Sequence, residues 1–125
     1  MRTRKIEITI ASLEHTFKRF AEVYGKLERG EKVTPSRTLG FPDIATFRKF
    51  LTQRRVEMLH SIRQNKPESI YELAKLLNRD LKSVNTDIAL LKQLGLVRLE
   101  KQKRGRTRVI PKVLFDRMQV NIALA

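Results

Sequence analysis

The sequence predicts an α+β protein, mainly helical, with short strands near its two ends and in one hairpin. Three observations predict it. Five segments place apolar residues three and four apart behind Ser, Thr or Asp, the residue types that cap helix N-termini. Residues 5–10 and 118–122 alternate apolar with polar side chains, the period of a half-buried strand. The stretch Lys103-Arg104-Gly105-Arg106 separates two short runs suited to strands, as a hairpin tip does.

Composition bounds the rest. At 125 residues the chain suits one domain, or one domain with a docking extension. It is 41% hydrophobic, enough for a packed core, so it is not a disordered chain. The formal net charge of +14 points to a polyanionic partner, nucleic acid before a membrane surface or an acidic protein. There are no cysteines, which excludes disulfides, thiolate zinc sites and cysteine nucleophiles. The basic N-terminus leads into an apolar run too short and too interrupted for a signal sequence, and no stretch approaches 18 apolar residues. The expected location is the cytoplasm, with no membrane contact.

Each element follows from its residues. Lys5 to Ile10 alternates β-branched and polar side chains and reads as a strand. Ser12 then caps a helix running to about Gly30, with Glu14 near its positive end. On it Leu13, Phe17, Phe20, Tyr24 and Leu27 are spaced four, three, four, three, one narrow seam. That seam suits either packing on the chain's own core or a dimer contact. Residues 31–42, holding Pro35, Gly40 and Pro42, read as a linker. Asp43 caps a short helix with Ile44, Phe47 and Leu51, and Thr52 another with Val56, Leu59 and Ile62, stopped by Pro67.

Ser69 and Glu72 form a capping box for a helix that ends at Asn78, a residue that tolerates the left-handed conformation of a tight turn. Asp80 caps the next helix, with Leu81, Val84, Ile88, Leu91 and Leu94 expected on its buried face and Gly95 just past its end. Leu96–Lys101 and Thr107–Ile110 read as the hairpin strands, the second closed by Pro111. Residues 1–30 are thus an N-terminal strand-helix arm, 43–113 a DNA-binding domain, and 114–125 a C-terminal strand.

The order helix, three-residue turn, helix, strand, basic hairpin, strand is that of a winged helix-turn-helix. A second helix that enters a major groove needs a short permissive turn, a small residue at the crossing and a cap, which Asn78, Ala74 and Asp80 supply. Its outer face then offers Lys82, Ser83, Asn85 and Thr86, types that hydrogen-bond base edges or phosphates. Asp87 suits a scaffold bond better than base readout. In the wing, Lys101, Lys103, Arg104, Arg106 and Arg108 suit the backbone or a narrow minor groove. Arg54 and Arg55 open the preceding helix, where they either meet phosphate or face solvent.

Residues 69–99, with Glu72-Leu73-Ala74, Val84 to Ile88 and Leu94-Gly95-Leu96-Val97, resemble the MarR-like and DeoR-like winged-helix regulators of bacteria and archaea. From about Phe41 onward the chain is similar to a group of small prokaryotic transcriptional regulators. Leu51-Thr52, Arg54-Arg55, Glu57, Leu59 and Pro67-Glu68-Ser69-Ile70 carry that likeness. The resemblance implies a DNA-binding regulator. It also carries the possibility of an antitoxin that binds a toxin protein as well as its own promoter. Many DeoR-like sequences place arginine where Asn85 and Thr86 stand here.

The expected function is therefore a sequence-specific double-stranded DNA-binding regulator, an autorepressor acting as a homodimer. The alternatives are an antitoxin or an RNA-binding or architectural protein. Catalysis is not expected, because His15 and His60 lie apart with no nucleophile, phosphate loop or carboxylate pair beside them. No metal or other cofactor is expected.

Overall fold

The computed structural model describes residues 4–32 and 38–124, with the side chain of Arg104 excepted. The expected linker residues 33–37, Pro35 included, lie outside the described residues, as does the Arg104 side chain. The architecture is mixed α+β, and the chain divides into two compact units. One runs up to Phe50 and takes in the segment from Arg117 onward; the other is Leu51–Asp116. Among the described residues no helix is long and apolar enough to cross a membrane.

The first unit is built on a parallel sheet. Strand β1 (Lys5–Ile10) lies between β2 (Thr38–Phe41) and β5 (Arg117–Ile122). In register Ile8 stands beside Leu39 and Val120, and Ile10 beside Phe41 and Ile122. Since neighbours in register share a face, these residues make one apolar face, with Glu7, Thr9, Gln119 and Asn121 on the other. Parallel sheets usually bury both faces; this one alternates. β2 falls in the segment expected to be linker. Four residues with a central glycine carry little strand signal of their own, and β2 exists because β1 offers it an edge.

Helix α1 (Leu13–Glu28) joins β1 to β2. The His15 amide donates to Ser12 Oγ at 3.2 Å, the cap expected from sequence. No residue of α1 is buried. Helix α2 (Ile44–Phe50) starts where the Thr46 amide donates to Asp43 Oδ1 at 2.7 Å. It sets Phe47 edge-on to Phe41 with ring centres 5.6 Å apart, and Phe50 at 6.1 Å.

The second unit packs α3 (Gln53–Asn65), α4 (Ile70–Leu77) and α5 (Leu81–Gln93) with the antiparallel hairpin β3 (Arg98–Arg104) and β4 (Arg106–Lys112). Met58, Leu73, Val84, Ile88 and Leu91 are, with Pro67 and Pro111, its largest fully buried side chains. α4 packs on α3 and α5, and β4 lies against α3 and α4. The expected buried face of α5 holds at Val84, Ile88 and Leu91, but Leu81, in the first turn, is 44% exposed and borders an open depression with Tyr71, Ala74 and Lys75 of α4. Leu96 and Val97, expected in the first hairpin strand, are buried ahead of it. The returning strand continues through Pro111 to Lys112, which a two-stranded ribbon permits because Pro needs no partner for an amide it lacks.

Helix ends follow side-chain chemistry. Thr52 Oγ1 accepts the Arg55 amide at 3.3 Å, Ser69 Oγ the Glu72 amide at 3.0 Å, and Asp80 Oδ2 the Ser83 amide at 2.9 Å. The Glu72 carboxylate reaches back to the amide of Glu68, one residue before the cap. At the far end of α4, Asn78 takes φ 52°, and the Asn78 and Arg79 amides donate to the Lys75 and Ala74 carbonyls. α5 ends the same way around Gly95 at φ 78°, with the Gly95 and Leu96 amides donating to Lys92 and Leu91. Both are Schellman closures, and both need the positive φ that Gly and Asn tolerate.

Candidate nucleic-acid interface

The candidate interface lies within Leu51–Asp116. Only Asn78, Arg79 and Asp80 separate α4 from α5, so the closure of one helix runs straight into the cap of the next. Leu73 and Ala74 are buried, and the small Ala74 side chain lets α4 lie close to its neighbours.

On α5 the residues expected to meet nucleic acid turn away from the core. Lys82, Asn85 and Thr86 are exposed, and with Leu81 and Ala89 they border a shallow depression. Two hydroxyls are partly engaged. Thr86 Oγ1 donates to the Lys82 carbonyl at 3.0 Å, and Ser83 Oγ donates to Asp80 Oδ1 at 2.8 Å. Each keeps acceptor capacity. Lys82 and Asn85 side chains have no protein partner among the described residues. The backbone amide and hydroxyl of Ser83 hold the Asp80 carboxyl below its ordinary value, so the cap is an anion at neutral pH.

Below this face lies a charged clamp. Asp87, 8% exposed, accepts Arg55 Nε at 3.0 Å on one carboxylate oxygen and Arg79 Nη2 at 2.8 Å on the other. Arg55 comes from the first turn of α3 and Arg79 from the α4–α5 turn. One carboxylate thus ties three segments and fixes how α5 lies on the unit. Arg79 Nη1 is buried without a protein partner. The scaffold expectation for Asp87 matches this geometry. Arg55 is drawn inward by Asp87, whereas Arg54 is exposed. Sequence reasoning missed Arg79. Its signal was a buried acid, Asp87, that a single arginine would leave with an unmatched oxygen.

The hairpin carries the remaining cations, with Lys101, Lys103, Arg106 and Arg108 all exposed. Pairing places them on two faces. Lys103 stands opposite Thr107 and Lys101 opposite Val109 on one; Arg106 and Arg108 lie on the other. Arg108 Nη1 donates to Glu68 Oε2 at 3.2 Å, and Lys112 pairs with Glu100 at 3.0 Å. Near the root, Arg63 pairs with Asp116 and donates to the Val113 carbonyl at 3.2 Å. The tip is left with Lys101, Lys103 and Arg106 unpaired among the described side chains.

Among the described residues no group of three or more His, Asp and Glu side chains is placed to hold a metal ion. Residues 50–120, which include the whole of this interface, match the family described as HVO_A0114. No curated protein and no solved structure matches the chain.

Proposed function

We propose that this chain, which belongs to the HVO_A0114 family, is a sequence-specific double-stranded DNA-binding regulator that represses its own promoter. In this reading Leu51–Asp116 is a winged helix-turn-helix, α5 is the helix that enters the major groove, and the β3–β4 hairpin is the wing. The observation that carries it is the outer face of α5. Its Lys82 and Asn85 are exposed and unengaged, on a helix held rigid beneath by the Asp87 clamp, with unpaired hairpin cations in the same compact unit. A DNA reader needs this division of labour. Short polar groups discriminate bases, cations neutralise phosphate, and a stiff support keeps both in register.

RNA readers that recognise sequence present aromatic rings for stacking. In this unit Phe115 is buried and Tyr71 is exposed, with one face under Lys75 Nζ at 4.8 Å, so the unit offers no set of several exposed rings among its described residues.

Anisotropy titrations with a duplex from the chain's own upstream region, against a scrambled duplex and across salt, test the reading. Own-region binding should be tighter by roughly 10³-fold or more and steeply salt-dependent. Asn85→Ala should reduce discrimination by about 1–3 kcal/mol. Arg106→Ala should weaken both duplexes alike and lower the salt slope by about one. Equal, weak binding to both duplexes would remove the proposal in favour of an architectural, RNA or protein target.

A further inference from the structure

We propose that α1 is a self-association helix: two copies of the chain pair along Leu13, Phe17, Phe20, Tyr24 and Leu27, with their α1 helices parallel. The proposal does not rest on DNA binding.

Within one copy α1 has little tertiary packing to hold it. It has 16 residues and buries none of them, and a lone helix of that length is marginal in water. Its own sheet does not supply cover. The aromatic rings of α2 occupy the apolar face at β2, and the opposite face carries Glu7, Thr9, Gln119 and Asn121. The five seam residues are accordingly 57–69% exposed, from Tyr24 to Phe20. Large apolar side chains held in solvent along one helix face mark an interaction surface.

Size and charge favour a second copy as the occupant. Three aromatic and two leucine side chains at this exposure offer on the order of 600 Å² per copy, near the ~800 Å² per partner of a standard interface. The stems of flanking Lys and Glu side chains supply much of the remainder. The chain as a whole carries +14, but on α1 Glu14, Glu22 and Glu28 balance Lys18, Arg19 and Lys26. This neutral stretch is where two strongly basic chains can meet without repulsion.

Flanking residues set the orientation. With Phe17 and Tyr24 at a and Leu13, Phe20 and Leu27 at d, the e positions are Glu14, Ala21 and Glu28, and the g positions within α1 are Thr16 and Val23. A fully overlapped antiparallel pair would set Glu14 against Glu28 of the other copy at both ends. A parallel pair sets the acidic flank against Thr16 and Val23, and no like charges oppose.

The chain has no cysteine, so single-cysteine variants read the geometry directly. Sedimentation of the unmodified chain at about 100 µM should show a dimer, and Phe20→Ser should raise the dissociation constant by tenfold or more. On mild oxidation Leu13→Cys and Leu27→Cys should each form a covalent dimer alone. Cross-linking only when the two variants are mixed would overturn the parallel arrangement. A monomer at that concentration would overturn self-association and leave the seam to a different protein. Because both assays read only self-association, such a failure leaves the DNA titrations to be judged separately.

Discussion

α1 and α5 look alike in sequence and end in opposite states. Each starts at a side-chain cap, each repeats apolar residues three and four apart, and each stops at a glycine with positive φ. Yet α5 buries Val84, Asp87, Ile88 and Leu91, while α1 buries nothing. The difference lies in their neighbours. A three-residue turn delivers α4 onto α5, so the cover for its stripe comes from the adjacent element. α1 is flanked by strands that pair with each other, and at β2 the sheet they form gives its apolar face to the aromatic rings of α2. Periodicity reports that a face needs cover; connection length decides whether the same chain provides it.

The largest expected effect tests this contrast through two truncations. Leu91 is fully buried, and Leu91→Ala should cost about 2–5 kcal/mol through lost transfer energy and the cavity left behind. Phe20→Ala removes a larger side chain, yet within one copy there is no core for it to leave. In urea titrations of dilute protein it should stay within about 0.5 kcal/mol of the parent chain. At high concentration it should lose stability by mass action as the paired state is weakened. Equal losses for the two variants at high dilution would mean that α1 packs on its own chain, and the contrast would collapse.

The clamp beneath α5 should give the next largest effect. Asp87→Ala removes the carboxylate to which both Arg55 and Arg79 donate. Removing one member of a fully buried pair costs about 3–5 kcal/mol; with these side chains 12–20% exposed, about 2–3 kcal/mol is expected. Because the clamp orients α5, loss of base discrimination should accompany loss of stability. A variant as unstable as predicted but with unchanged site preference would make the clamp purely structural.

How much was legible follows the same division. The caps at Ser12, Thr52, Ser69 and Asp80, the αL turn at Asn78 and the closure at Gly95 were readable because each rests on a few adjacent residues. β2 was not, because its pairing partner stands about thirty residues away and its own four residues carry a glycine. Arg79 was missed because its role depends on Asp87, eight residues on and across a turn. The outward set on α5 was legible once Val84, Ile88 and Leu91 fixed the inner face. The split of the hairpin cations between two faces required the strand register, which the glycine tip alone does not determine.

The smallest effect separates a cap that titrates from one that does not. The Ser83 amide and hydroxyl hold the Asp80 carboxyl below its ordinary value of 3.8. A depressed acid contributes stability in full above its unfolded value, and that contribution is lost as pH falls through the folded value. The second unit should therefore weaken as pH drops below about 3.8, in part because Asp80 is being protonated. Asn caps nearly as well as Asp and does not titrate. Asp80→Asn should match the parent near neutral pH and show a shallower decline of thermal midpoint on the acid side. On α1, Ser12 holds the equivalent position and has no charge to lose, so Ser12→Asn should leave the acid slope unchanged. Parallel acid limbs for the parent and Asp80→Asn would show that the cap's charge adds nothing beyond its hydrogen bonds.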